Sequence, residues 1–169
     1  MAVTQDKILL WLNQNNIGYE IDKEEEEIRF TIKDESITTI VKILLPNNGT
    51  IFQIFMNLIY KDYSTLKLED NDYKKQIMQY IMRLNYDTKY GIWEFDLKSG
   101  DIRVGIEMIL EDALMTQNQF NKILEYFNTE GKDGFHQITK ILEDKDKAQK
   151  EWEDWNKSIY SLIQPISLD

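Results

Sequence analysis

The chain contains no cysteine. A disulfide framework and thiolate chemistry are both excluded, and the composition fits a reducing compartment. Histidine occurs once, as His136. A lone imidazole in a helical pattern, with no Ser, Cys or carboxylate partner at a fixed spacing, reads as a structural or exposed residue before it reads as a general base. No apolar run approaches the roughly 18 residues that would span a bilayer. The stretch Met1 to Lys7 lacks a basic region before an apolar one, so no secretory leader is expected. Glycine-rich phosphate loops are missing. Basic residues are outnumbered, with 20 Lys and Arg against 30 Asp and Glu, a formal net charge of −10. Such a field repels phosphates, and no Lys/Arg cluster with interleaved aromatics offsets it. Nucleic acid and membrane are therefore not expected as partners, no metal or other cofactor is expected, and the location expected is cytoplasmic.

The acidic clusters carry no clear chemistry. Glu24 to Glu27 is a run of four acids, without the convergent ligands or turn glycine of a cation loop, and reads as a solvated turn. Asp70, Asn71 and Asp72 read as a helix cap.

The patterns that are present concern the backbone. Trp93, Phe95 and Leu97 alternate with Glu94 and Asp96; Ile102, Val104, Ile106 and Met108 alternate with Arg103, Gly105 and Glu107. Period two with one apolar side is a half-buried strand. A two-residue turn at Ser99-Gly100 predicts the pairs Leu97–Ile102, Phe95–Val104 and Trp93–Ile106 on the apolar face. It sets Asp96 opposite Arg103 on the other face. Downstream, Thr116 and Gln119 have the spacing of a capping box, and Met115 with Phe120 that of a hydrophobic staple. Phe120, Ile123, Leu124 and Phe127 continue at helical spacing.

A second hairpin is signalled by Asn48-Gly49 between the apolar runs 37–45 and 51–60. It predicts Leu45 opposite Phe52, Ile43 opposite Ile54 and Val41 opposite Met56. The other face would hold Lys42, Leu44, Gln53, Phe55 and Asn57, less polar than a free sheet face should be. Elsewhere, Thr4 to Asn15 reads as a helix burying Ile8, Leu9 and Leu12, with Gly18 suited to the left-handed position after it. A short strand is expected near residues 19–21 and a longer one at 28–33. A helix is expected over about 71–84, with Tyr73, Ile77, Tyr80, Ile81 and Leu84 as its stripe. Gly131 and Gly134 interrupt or end the helix from Thr116, and Phe135, Ile138, Ile141 and Leu142 resume the spacing. Trp152, Trp155, Ile159 and Leu162 form one helical face in a charged segment. The order is α-β-β-β-α-β-β-α plus a C-terminal helix. That is an α+β chain with an antiparallel sheet of about five strands packed against helices. We expect one domain over residues 1–144 and a helical extension, 145–169, docked on it.

The stretch Tyr90 to Asp96, with Gly100 to Arg103, Leu110 to Thr116, Gln119 and Phe120, resembles the YbjN family. These bacterial proteins are described as sensory-transduction regulators, with a fold similar to type III secretion chaperones. The clear resemblance covers about residues 71–128, and the first 60 residues agree in pattern; the segment after about Asp144 is not part of that pattern. The resemblance implies a protein-binding module, regulatory or chaperone-like, with no catalytic residues. Dimers are common among chaperones of that fold, so a homodimer is a possible state.

The functional expectation is thus a non-enzymatic module whose partner is another protein. The candidate partner-binding residues are Ile40, Leu44, Ile51 and Phe55 on the second sheet face, with Trp152 and Trp155, since aromatic anchors are enriched at binding hot spots. Two alternatives stand beside it: an enzyme using Glu, Asp, Tyr or His136 as acid/base groups, or an acidic inhibitor or immunity-type protein that plugs a basic partner site. A broad flat apolar surface favours the first reading; a deep pocket with convergent ionisable groups favours an enzyme.

Overall fold

In the computed structural model the described residues are 2–34, 36–59, 72–96, 98–111 and 113–143. Thr4 opens α1 (Gln5–Gln14) by accepting from the Lys7 N–H, which satisfies one of the orphan donors of the first turn. The helix buries Ile8, Trp11 and Leu12, so Trp11 supplies the apolar stripe more fully than the expected Leu9. The left-handed position after it is taken by Asn16 (φ 56°) rather than Gly18, and the Ile17 N–H returns to the Leu12 carbonyl at 3.0 Å. Asn tolerates this conformation because its short side chain adds little steric cost.

Strands β1 (Glu20–Asp22), β2 (Glu27–Lys33), β3 (Thr38–Leu44) and β4 (Ile51–Ile59) form an antiparallel run, and β5 (Ile92–Phe95) with β6 (Ile102–Ile109) completes a six-stranded sheet of order β1-β2-β3-β4-β6-β5. The count rises from about five to six because the short strand expected near residues 19–21 is part of the sheet as β1, paired with β2. The β3–β4 register is the predicted one, with Ile43 opposite Ile54 and Val41 opposite Met56. Its turn is not a two-residue loop. Leu44 and Gln53 are the last pair, and a single helical turn, α2 (Pro46–Gly49), closes the gap with Asn47, Asn48 and Gly49 all at positive φ.

The β5–β6 hairpin differs from expectation by two positions. Phe95 pairs with Ile102, Trp93 with Val104 and Glu94 with Arg103. A shift of two preserves the faces while changing the partners, so Arg103 meets Glu94 and not Asp96. The cause is the Asp96 carboxylate. It accepts from the Lys98 N–H and the Ser99 hydroxyl, both at 2.8 Å, organising a wider Asx-type loop. The Lys98 N–H contact holds its carboxyl below the usual range.

Helices cover one face of the sheet: α1, α3 (Asp72–Asp87), α4 (Gln117–Tyr126) and α5 (Lys132–Glu143). The α4 start has the complete capping box between Thr116 and Gln119. The glycines do not end this helix. A π-helical segment (Phe127–Gly131) joins α4 directly to α5, and Gly134 packs so close that a Cβ would lie 2.5 Å from the Trp93 ring. Asn85 of α3 clasps β5, accepting from the Trp93 N–H at 2.7 Å and donating to its carbonyl at 2.9 Å. One apolar cluster runs from Val3 to Ile138 through the inward residues of every strand from β2 to β6. The chain is therefore α+β, an antiparallel sheet packed against helices. The extension with Trp152 and Trp155 lies outside the described residues.

Candidate functional site

The sheet face opposite the helices is defined by strand alternation. Neighbouring strands set its side chains in cross-strand rows. One row is Asp22, Glu27, Leu44, Gln53 and Glu107; the next is Glu20, Arg29, Lys42, Phe55, Gly105 and Ile92; a third is Thr31, Ile40, Asn57, Arg103 and Glu94. Ile51 and Ile109 pair at the near end, Thr38 and Ile59 at the far end. The structure thus brings Ile40, Leu44, Ile51 and Phe55 onto one face. None of the four belongs to the core cluster or packs against it. Sequence reasoning missed Ile92 and Ile109, which are 66% and 69% exposed on the same face. Their signal was parity: each has the opposite parity to the inward residues of its own strand.

The face has two halves. Toward β1 it is ionic. Glu27 is buried rather than part of a solvated turn, and bonds both Arg29 and Lys42 (3.2 Å to Lys42), while Arg29 also reaches Asp22 at 2.9 Å. A buried carboxylate is tolerated when paired in this way. Toward β5 the face is apolar and aromatic. Phe55 lies flat across Gly105, where a Cβ would sit 2.5 Å from its ring, and the Arg103 guanidinium stacks on it 4.4 Å from the centroid, a cation–π contact. Arg103 is also paired with Glu94, and Glu107 with Gln53. Arg103 and Glu94 neutralise each other within the face, while Glu107 is held by a neutral amide.

The single histidine is not alone in space. His136 on α5 contacts Asp34 through Nε2 (2.8 Å) and Ser36 through Nδ1 (3.0 Å) in the β2–β3 turn. The three residue types match a hydrolase triad, but Ser36 also donates to the Asp34 carboxylate at 3.3 Å, so the groups close on one another. They line neither the cleft beside α2, nor that between β6 and α4, nor that adjoining Trp93. The cluster is a clamp that holds α5 to the turn. The N–H groups of Ser36 and Ile37, with His136, hold the Asp34 carboxyl far below the usual range. A depressed folded pKa gives stability that is present above the unfolded value, about 3.9, and lost as pH falls below it. We expect the wild-type chain to be more stable than Asp34→Asn at pH 7, with the gap narrowing steadily as pH falls below about 4. Urea midpoints across that range check this; a gap independent of pH would contradict it.

Three clefts among those bordering the described residues are well defined. One of about 670 Å³ lies between the β1–β2 turn and α2, and includes Asp22, Glu26 and Glu27. Another, about 770 Å³, lies between β6 and α4. The third, about 250 Å³, adjoins Trp93 and Tyr126. Tyr126 lines both of the last two, and burial raises its phenol pKa; burial likewise pushes that of Tyr80 to about 12. Neither is poised for proton transfer near neutrality. Among the described residues no group of His, Cys, Asp and Glu could hold a metal ion, and no helix is long and apolar enough to cross a membrane.

No protein-family model matches the chain, and no curated protein matches it. Among solved structures it is similar to that of YbjN from E. coli, described there as a candidate transcription regulator. That likeness has 11% identity and a TM-score of 0.49, and covers 74% of this chain and 84% of that one.

Proposed function

We propose that this chain is a non-enzymatic protein-binding module that engages another protein through the open face of its sheet. The observation that supports this reading is the apolar half of that face: Phe55, Ile51, Ile92 and Ile109 stand outside the core beside the Arg103–Glu94 ion pair. Such a surface can be covered without stranding Arg103 or Glu94, since each keeps the other as its partner. A flat face of this kind suits another protein better than a small substrate, which needs a concave site. The regulatory role implied by the sequence resemblance is compatible with this reading.

The test places a photo-crosslinking residue at Phe55 or Ile92 in the native host, with Tyr86 on α3, 91% exposed, as control. We expect one recurrent protein adduct from the face positions and none from the control. We also expect Phe55→Asp to weaken its binding at least about tenfold, the loss typical of removing an aromatic anchor, with the fold intact by circular dichroism. Adducts equal to the control, or none, would refute the reading. Sedimentation equilibrium distinguishes a second copy from a different partner.

A further inference from the structure

Strand β6 outruns its neighbour. On the β4 side it is paired along Arg103 to Ile109, whereas β5 covers it only as far as Gly105, opposite Ile92. Gly91, at φ 75°, turns the chain off the sheet at that point. The ladder on the β4 side continues, with the Leu110 N–H donating to the Thr50 carbonyl at 2.7 Å. Antiparallel pairing directs alternate main-chain groups to opposite sides. The Asp96 N–H bonds the Asp101 carbonyl on the β5 side, so Arg103, Gly105, Glu107 and Ile109 direct their N–H and C=O groups that way. Those of Glu107 and Ile109 meet no partner among the described residues.

Beneath this free edge, on the helix side, lies the cleft of about 770 Å³. Ile106, Met108, Ile123 and Tyr126 give it apolar walls, and Lys89, Lys122, Glu125 and Glu130 line it as well. Above it, on the open face, is the exposed Ile109. An edge with unmet backbone groups and a pocket for every second side chain is the arrangement that binds an added strand.

We propose that the β6 edge at Glu107 and Ile109 accepts an extended segment of another protein as a further strand. Apolar residues at alternate positions of that segment fill the cleft toward α4. Lysine or arginine at its flanks suits Glu125 and Glu130 of the cleft and the net charge of −10. A second copy of β6 does not suit the edge. Two-fold pairing would need β6 to continue on both copies, but β5 blocks one end at Gly105 and Glu111, at φ 26°, bends the other away. A separate segment is bounded only at the Gly91 end. The edge is distinct from the open-face site, and its test succeeds or fails whatever binds there.

The probe is a phage-displayed library of random dodecapeptides selected on the full chain. We expect enriched peptides with apolar residues at every second position and binding at least about tenfold weaker to Glu107→Pro. Proline removes only an N–H that points away from β4, and circular dichroism checks the fold. An arm independent of protein variants N-methylates alternate amides of a selected peptide: one set abolishes binding and the other is tolerated, because only one set faces β6. Equal binding of both methylated forms, no enrichment over Glu107→Pro, or sensitivity to Phe55→Asp instead would overturn the proposal. So would displacement by a synthetic peptide of residues 144–169, which would assign the edge to the chain itself. A dimer abolished by Glu107→Pro would assign it to a second copy and equally overturn it.

Discussion

Phe120→Ala should lower stability by about 3–5 kcal/mol, the range for removing a fully buried aromatic ring. For a chain of this size that is a fall in thermal midpoint of roughly 6–20 °C. Phe120 is 0% exposed. Its ring meets Trp11 of α1 at 5.5 Å and Phe52 of β4 at 6.3 Å in an edge-on arrangement. The cavity left by alanine would open where two helices and the sheet meet, and three separate elements cannot collapse together to fill it. The ring contacts would be lost in addition to the buried area. Chemical and thermal unfolding of the variant beside the parent measure the effect. A loss below about 1 kcal/mol would show that the junction can repack.

Gly49→Ala is expected to have the second largest effect, about 2–4 kcal/mol, from two additive sources. The φ of Gly49 is 79°, where any side chain costs about 1–2 kcal/mol. The added Cβ would also lie 1.9 Å from the Val3 carbonyl oxygen. That neighbour is backbone, so it yields only if the segment before α1 moves, breaking the hydrogen bond from the Val3 N–H to the Gly49 carbonyl (3.1 Å). Unfolding midpoints measure the total. Amide exchange separates the sources: Val3 and the first turn of α1 should lose protection while β3 and β4 keep theirs. Full protection at Val3 would remove the steric part of the argument.

Both effects arise where distant segments meet, and this marks the limit of what the linear pattern holds. Alternation, capping and turn chemistry are local, so they alone determined the α+β class, the two inner faces, the β3–β4 register and the capping box of α4. The grouping of Ile40, Leu44, Ile51 and Phe55 on one face followed from period two and the register set by Asn48-Gly49. Details that depend on competition between local bonds were not determined in this way. The Asp96 side chain claims the turn that Ser99-Gly100 would otherwise close, moving Arg103 from Asp96 to Glu94. Asn16 takes the left-handed site that Gly18 could have filled.

Only the tertiary structure decided the contacts made across long separations. His136 meets Asp34 and Ser36 because α5 crosses the β2–β3 turn. Glu27 is buried because the β2–β3 register brings Lys42 beside it. Gly134 serves close packing against Trp93 instead of ending a helix. The free edge of β6 exists because β5 is shorter than β4, a comparison between strands far apart in the chain. Period and spacing report which way a side chain faces, whereas what stands opposite it depends on how the elements assemble.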